Sequence, residues 1–338
     1  MKIFITGGCG FIGSNFIRYI LRKYHDYRIV NLDSLTYAGN PENLKDLRDN
    51  SRYTFVHGRI EDRRLIKDII KEVDCIVHFA AESHVDRSIL DVQPFIRTNI
   101  AGTVSILDSI RDSSIQRFIH ISTDEVYGSL GEDGRFTEQT PLRPNSPYAA
   151  SKAAADLMVR AYYETYKIPA IIVRPSNNYG PYQFPEKFIP LMITNLLKNK
   201  SIPIYGKGSN VRDWLFVEDN CRAIDLILHK GRLGEVYNVG GNSERRNIDV
   251  AKAVLRIMGK GEEMITFVKD RPGHDFRYAL DCSKTEKELG WYPETGIEEG
   301  LKKTVQWYMN NEWWWEPLKE RLVKESKGFW NEDSHNRL

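Results

Sequence analysis

Short apolar runs rich in β-branched residues alternate with longer segments of helical periodicity along the first half of the chain. The apolar runs predict strands at 2–6, 27–32, 53–57, 75–79, 118–122 and 170–173. The periodic segments predict helices at 11–24, 63–72, 93–112 and 148–166. This alternation predicts the α/β fold class, a doubly wound parallel sheet of the Rossmann type with helices on both faces.

The pattern changes after Arg174, where prolines and glycines crowd residues 175–190 and predict irregular loops. A strand–helix unit follows at 214–228, then a strand at 235–239 and a smaller mixed α/β module. We therefore expect a Rossmann domain at 1–180 plus roughly 214–243, and a substrate domain at roughly 181–213 plus 244–338. Because ligands bind beyond the carboxyl ends of parallel strands, the smaller domain should form the other wall of a cleft.

Composition and charge exclude several classes of protein. The 338 residues are 41% hydrophobic and 28% charged, with a net charge of +2, which is typical of a globular protein without a basic face for nucleic acid or membrane. The four cysteines stand far apart with no C-x-x-C pair, as expected for reduced thiols. No apolar run reaches the ~20 residues of a membrane helix. With no signal-peptide pattern either, the sequence predicts a soluble, cytoplasmic protein.

A glycine-rich turn, TGGCGFIG at 6–13, follows the first predicted strand and opens the first predicted helix. Gly7, Gly10 and Gly13 allow the backbone to turn tightly, so that a pyrophosphate can approach the helix N-terminus. Asp33 ends the second predicted strand twenty positions after Gly13, where a carboxylate can bind both ribose hydroxyls. Serine and leucine follow it, where an arginine would favour a 2′-phosphate. The sequence therefore predicts NAD as the cofactor rather than NADP.

Tyr148 and Lys152 are spaced i and i+4, so they share one face of a predicted helix. The same spacing occurs elsewhere in the chain, but Tyr148 begins its helix after Pro147, downstream of a strand that ends at Ser122-Thr123. A phenol has a reference pKa of about 10, and a nearby ammonium and a positively charged nicotinamide both favour its phenolate. We interpret Tyr148 as a general base, with Thr123 holding the reacting hydroxyl in line.

With these features in order, the chain resembles the extended short-chain dehydrogenase/reductase family, and within it the branch of the dTDP-glucose 4,6-dehydratases. The resemblance covers about residues 1–310. It rests on HFAAESHVDRS (78–88), STDEVYG (122–128), RPSNNYGPYQFPEK (174–187), VRDW (211–214) and DRPGHD (270–275). It implies an NAD-binding domain, a nucleotide-sugar-binding domain, and conversion of dTDP-glucose to its 4-keto-6-deoxy form.

The resemblance also implies the roles of two neighbouring acids. Eliminating water across C5 and C6 of the hexose needs a base for the C5 proton and an acid for the departing C6 hydroxyl. By resemblance Glu125 is the base and Asp124 the acid, and two adjacent carboxyls in a closed cleft tend to raise one pKa. Tyr148 removes the C4 hydroxyl proton as hydride passes to NAD. The hydride later returns to C6, so NAD should stay bound like a prosthetic group.

Further contacts follow from the resemblance alone. Besides the glycines and Asp33, the expected cofactor contacts are Phe11, Ile12, Ser34, Leu35, Thr36, Ile60, Ala80, Ala81, Thr98, Tyr148, Lys152 and Asn178. The expected substrate contacts are Ser83, Thr123, Asn177, Lys187, Pro203, Tyr205, Arg212, Asn247, Arg271 and His274. Arg59 replaces the family's aspartate before Ile60, so adenine contact is expected there from the backbone. No cluster has metal-ligand spacing, and no metal is expected.

The family pairs its helices near 93–112 and 148–166 across a two-fold axis, so a homodimer is expected. The tryptophans at 313–315 predict a terminal helix packed onto the body of the protein. Four alternatives stay open: dehydration of UDP-glucose, C4 epimerisation, decarboxylation of UDP-glucuronate, and an NAD-binding scaffold without catalysis. The pair Asp124-Glu125 counts against the second and third. The set Thr123, Tyr148 and Lys152 counts against the scaffold.

Overall fold

The structure, a computed structural model, describes residues 1–329 of the chain. Its strands are β1 (Lys2–Thr6), β2 (Arg28–Asp33), β3 (Tyr53–His57), β4 (Cys75–His78), β5 (Arg117–Ile121), β6 (Ala170–Pro175), β7 (Asn177–Tyr179), β8 (Ile202–Tyr205), β9 (Val211–Phe216), β10 (Val236–Val239), β11 (Glu244–Arg246) and β12 (Ile265–Val268). Its helices are α1 (Phe11–Lys23), α2 (Arg63–Ile70), α3 (Val85–Leu90), α4 (Gln93–Phe95), α5 (Thr103–Ile110), α6 (Pro147–Tyr166), α7 (Phe188–Leu197), α8 (Val217–Lys230), α9 (Asn247–Ile257), α10 (Ser283–Leu289), α11 (Ile297–Asn310) and α12 (Glu312–Phe329).

Seven parallel strands form the central sheet in the order β10-β6-β5-β4-β1-β2-β3. Side chains alternate between its faces: Ile3 and Ile5 of β1 pack with α1 and α8, and Phe4 packs with α2, α5 and α6. Both faces are therefore covered, and the predicted doubly wound α/β fold is confirmed. The glycine turn and Thr123 follow β1 and β5, and Asp33 is the last residue of β2, so all three lie at the carboxyl edge of the sheet.

The smaller module holds a three-stranded sheet, β11-β9-β7, and a two-stranded sheet, β12-β8. The strand predicted at the start of 214–228 is therefore not in the central sheet, since it is part of β9. Leu215 packs into the core around α1, whereas Trp214 and Phe216 pack into the core of the smaller module. Because the last three residues of β9 are apolar on both faces, their periodicity does not distinguish the two sheets.

The single helix predicted at 93–112 is divided in the structure. Between α4 and α5 the chain forms a π-helical segment, Ile96–Gly102. This segment carries Thr98 into the lining of the cleft described below. Such segments occur often at functional sites, because the extra residue per turn changes the direction of the side chains.

Two of the three consecutive tryptophans confirm the predicted packing of the terminal helix. Trp314 and Trp315 are buried, with relative exposures of 3% and 1%, whereas Trp313 is exposed. Both buried rings belong to the core of the smaller module. No helix within residues 1–329 is long and apolar enough to cross a membrane.

Candidate active site

A deep cleft opens at the carboxyl edge of the central sheet. It has about 1260 Å³ of empty volume, including open solvent at its mouth. Its lining includes most of the expected cofactor contacts: Gly7, Gly10, Phe11, Ile12, Gly13, Asp33, Ser34, Thr36, Ile60, Ala80, Ala81, Thr98, Tyr148 and Lys152. Two expected substrate contacts, Ser83 and Lys187, also line it. One cleft therefore brings together the glycine turn and the candidate general base.

The glycine turn is packed too closely for any side chain at two positions. Gly7 has a φ of +72°, and a Cβ there would lie 2.6 Å from the Cα of Ala80. A Cβ at Gly13 would lie 2.6 Å from the carbonyl oxygen of Gly7. The turn is closed by the Gly10 N–H, which donates to the Gly7 carbonyl over 3.1 Å. The first turn of α1 thus faces the cleft through bare backbone, which suits the pyrophosphate of a dinucleotide.

Asp33 is held in place by backbone amides on both of its carboxylate oxygens. The Cys9 N–H donates to Oδ2 over 2.9 Å, and the Leu35 N–H donates to Oδ1 over 2.8 Å. Burial raises the pKa of Asp33, and these two hydrogen bonds oppose that rise. Each oxygen has a further lone pair with which it can accept a ribose hydroxyl. The residues present therefore fit NAD.

The candidate catalytic triplet is buried where α6 meets the end of β5. Thr123, Tyr148 and Lys152 have relative exposures of 8%, 8% and 3%. The Tyr148 N–H donates to Ser88 Oγ over 3.1 Å, which fixes the start of α6. Lys152 Nζ donates to the Ile121 carbonyl over 2.6 Å, so its ammonium lies beside the carboxyl end of β5. Helix α3, helix α6 and the end of β5 therefore position the triplet together.

The protein by itself does not favour the phenolate of Tyr148. Burial is the main cause of its raised pKa, the charges of Glu125 and Asp124 add to the rise, and a hydrogen bond with Thr123 opposes it. Burial also lowers the pKa of Lys152 to about 8. The predicted effect of a nearby ammonium, which favours the phenolate, is therefore smaller than the opposing effect of burial. The positive charge of an oxidised nicotinamide is the remaining contribution that would lower this pKa.

Asp124 and Glu125 begin a short 3-10 segment, Asp124–Tyr127, that leaves the end of β5. Asp124 is 1% exposed, and Thr123 Oγ1 donates to its Oδ1 over 3.3 Å. Its Oδ2 is buried and has no hydrogen-bond partner among the described residues. Burial, with help from Glu125 and Asp213, raises the pKa of Asp124 well above its ordinary value. A buried carboxyl with an unpartnered oxygen is suited to carry a proton.

Glu125 lies in a different electrostatic environment. Burial raises its pKa, and the positive charges of Arg271, Arg212 and Lys187 oppose that rise. The charges of three of the expected substrate contacts therefore act on this carboxylate. The two neighbouring acids thus differ in balance, because three cations oppose the rise at Glu125 against one further acid, Asp275, whereas two acids add to the rise at Asp124 and Arg212 opposes it.

The remaining expected contacts lie outside the lining of the cleft. Tyr205 and Arg271 approach the same carboxylate, that of Asp86, over 3.4 and 3.6 Å, and the rings of Tyr205 and His274 meet edge to face. Arg212 donates to the carbonyls of Val211 and Asp275. The other expected contacts outside the lining are Leu35, Asn177, Asn178, Pro203 and Asn247, together with Thr123.

Three of these polar side chains have a buried oxygen atom to which a bound ligand can donate a hydrogen bond. The Oδ1 atoms of Asn177, Asn178 and Asn247 are buried without a hydrogen-bond partner among residues 1–329. Unpaired buried polar atoms are costly, so they commonly mark a place where a bound molecule supplies the partner. All three asparagines are among the expected ligand contacts.

The cleft also contains residues that the sequence analysis missed. Among them are Tyr37, Glu82, Gln183 and Phe184. Arg59, which the sequence analysis had singled out, also lines the cleft, and its guanidinium lies 3.6 Å from Glu61. Tyr37 comes from a loop without periodicity, so no pattern in the sequence marks it. Glu82 lies inside the motif at 78–88, and Gln183 and Phe184 lie inside the motif at 174–187, so these three could have been found there. In residues 1–329, no group of three or more metal-binding side chains could hold a metal ion.

Comparison with known proteins gives a consistent result. The family described as GDP-mannose 4,6 dehydratase matches residues 4–304. A dTDP-glucose 4,6-dehydratase of Xanthomonas campestris is 51% identical over 330 residues, covering 92% of this chain and 93% of that protein.

Two solved structures are also similar. The dTDP-glucose 4,6-dehydratase of Bacillus anthracis, in complex with NAD, is 52% identical with a TM-score of 0.89, covering 94% and 99% of the two chains. That of Streptomyces venezuelae, with NAD and a dTDP ligand bound, is 50% identical with a TM-score of 0.92, covering 94% and 100%.

Proposed function

The chain belongs to the GDP-mannose 4,6-dehydratase family, and within it we propose that the protein is an NAD-dependent hydro-lyase that converts dTDP-glucose to dTDP-4-keto-6-deoxyglucose and water. The observation that carries this proposal is that the charges of two neighbouring acids, buried Asp124 and partly buried Glu125, act on Tyr148, which lines a cleft that fits NAD. Epimerisation at C4 needs only removal and return of hydride. Elimination needs an acid and a base as well, and this pair supplies both.

The oxidation at C4 depends on the triplet around Tyr148. Tyr148 accepts the proton of the C4 hydroxyl, and Thr123 holds that hydroxyl in line. Bound NAD supplies the hydride acceptor at C4 and later the hydride donor at C6. Lys152 stays beside the carboxyl end of β5, and its protonated ammonium adds to the positive charge of oxidised NAD in favouring the phenolate of Tyr148. Asp33 and the glycine turn hold the ribose and the pyrophosphate.

The 4-ketone makes the C5 proton acidic, and the two acids then complete the elimination. Glu125, kept more acidic by Arg271, Arg212 and Lys187, takes the C5 proton. Asp124, whose pKa is raised by burial, gives its proton to the C6 hydroxyl, which leaves as water. Return of a proton to C5 by Glu125 balances the hydride that arrives at C6. Lys187, Arg212 and Arg271 also bind the diphosphate and adjoining groups of the substrate.

The remaining contacts complete the proposed substrate site. Pro203 and Tyr205 line the pocket for the base, with His274 beside Tyr205. Ser83, Asn177 and Asn247 bind the substrate, and Asn178 binds the cofactor through its unpartnered Oδ1. We propose an NAD-binding domain at 1–180 with 214–243 and a substrate domain from the other segments, with the sheet β11-β9-β7 spanning the boundary between them.

We propose a cytoplasmic homodimer. Side chains on the helices that would pair across the axis remain exposed in one protomer, with relative exposures of 43% for Ile96 in the π-helical segment and 57% for Leu157 of α6. A second copy would cover these apolar groups.

Mass spectrometry tests the reaction directly. Incubation of the protein with dTDP-glucose, with no reductant added, should yield a product lighter by one water. A product of unchanged mass would indicate epimerisation, and no reaction would favour the scaffold alternative. Parallel incubation with UDP-glucose tests the base, and faster conversion of UDP-glucose would overturn the assignment to dTDP-glucose.

A further inference from the structure

The C-terminal helix α12 is joined to the glycine turn by a chain of buried hydrogen bonds. Trp314 Nε1–H donates to Asn43 Oδ1 over 2.7 Å, and both side chains are buried. Asn43 Nδ2 then donates to the Cys9 carbonyl, in the middle of the turn, over 2.8 Å. The Cys9 N–H in turn donates to Asp33 Oδ2. One indole group, 271 residues from Asn43 in sequence, is therefore linked through three hydrogen bonds to the carboxylate proposed to hold the ribose.

A second contact joins α12 to the next loop of the cleft. Arg321 Nη2 donates to the carbonyl of Tyr37, a residue that lines the cleft together with Ala38. Tyr37 and Ala38 also pack against the hydrophobic core that contains Trp314 and Leu318. Helix α12 therefore contacts the loop at 34–39 directly and is linked to the glycine turn through Asn43.

We propose that Trp314 and Arg321 are positioning residues, through which α12 holds the glycine turn and the loop at 34–39 in their NAD-binding conformation and so slows the release of NAD. This inference rests on the proposed NAD site. Loops are ordered at an entropic cost, and contacts that order them before the ligand binds reduce that cost. Slow release suits the proposed reaction, because NAD is regenerated in every turnover and has no need to exchange.

The structure offers a matched pair of tryptophans for the test. Trp291 is also fully buried, and its Nε1–H donates to the Asp219 carbonyl over 3.1 Å, outside the lining of the cleft. Trp314→Phe and Trp291→Phe each remove one buried indole donor. Only the first removal leaves Asn43 without the partner that helps to fix Cys9. Loss of one such bond corresponds to about a fivefold to tenfold change in an equilibrium or rate.

The experiment measures the dissociation rate of NAD, the melting temperature and kcat at saturating NAD for both variants. We expect Trp314→Phe to release NAD about five to ten times faster than the unchanged protein, with kcat at saturating NAD within about twofold. Trp291→Phe should lower the melting temperature comparably and leave NAD release unchanged. If Trp314→Phe releases NAD at the same rate as the unchanged protein, or if both variants release NAD equally faster, the inference is overturned.

A measurement on the unchanged protein covers the case in which Trp314→Phe does not fold. Binding of NAD should slow amide hydrogen exchange at 312–322 as well as at 6–13, whereas the segment 283–289, which includes no cleft residue, should exchange as before. Unchanged exchange at 312–322 would contradict the coupling. If the unchanged protein does not bind NAD at all, the proposed cofactor site fails together with this inference. If it binds NAD and the variant holds it equally well, only the role of α12 fails.

Discussion

Replacing Glu125 by glutamine should separate the two halves of the reaction. The substitution keeps the size of the side chain and removes the base that takes the C5 proton. General-base catalysis contributes about 10²–10⁴ in rate, or ~3–5 kcal/mol of activation free energy. We therefore expect overall turnover to fall by that factor, while NAD binds normally.

The structure also predicts what the first half-reaction does in Glu125→Gln. The charge of Glu125 is one cause of the raised pKa of Tyr148, so its removal makes the phenolate easier to form. Oxidation at C4 should therefore proceed at least as readily as before, and the reduced cofactor should accumulate because elimination no longer follows.

Stopped-flow recording of the near-ultraviolet absorbance of the reduced nicotinamide measures this accumulation, and mass spectrometry measures product. Glu138→Gln is the matched control, since Glu138 is a half-buried glutamate outside the cleft that accepts a hydrogen bond from the Asn238 N–H. Normal turnover in Glu125→Gln would refute its role as the base. Failure to reduce the cofactor would refute the separation of the two steps.

Two further substitutions test the cofactor site and the buried ammonium. Asp33→Ala should weaken NAD binding at least about tenfold, since hydrogen bonds to a charged group contribute ~1.5–3 kcal/mol. Calorimetry measures the affinity for NAD in this variant and in the control Asp26→Ala, which replaces an exposed aspartate. Equal affinities of the two variants would contradict the role of Asp33. Burial lowers the pKa of Lys152 to about 8, whereas the ordinary lysine pKa is about 10.4. Between these two pH values the unfolded chain binds more protons than the folded protein at this residue. The contribution of Lys152 to the stability of the folded state therefore increases as pH rises through this window. The free energy of unfolding of the wild type should therefore rise relative to that of Lys152→Met across this window, and a constant difference in denaturant unfolding would contradict the depressed pKa.

The fold was predictable because each part of the central sheet carries its own signal. Strands 2–6 and 53–57 were predicted with the observed bounds, and the others within a few residues. The π-helical segment was not predictable, since 93–112 has continuous helical periodicity. The position of β9 was not predictable either, because its last three residues are apolar on both faces and fit either sheet.

The cleft was only partly predictable for a related reason. The glycine turn, Asp33 and Tyr148 stand at the ends of predicted elements, where the topology alone brings them together. Tyr37 and Ala38 reach the cleft from a loop, and loop positions follow from tertiary packing. The contact between Trp314 and Asn43 joins opposite ends of the chain, and no local pattern encodes it.

The fate of the C4 hydrogen tests the central claim most directly. The protein is incubated in ordinary water with dTDP-glucose that carries deuterium at C4, and the product is examined by mass spectrometry and NMR. If Tyr148, Asp124 and Glu125 act as proposed around one bound NAD, the product has lost one water and carries the deuterium in its C6 methyl group. Deuterium released to the solvent, or a product that retains its C6 hydroxyl, would contradict the account.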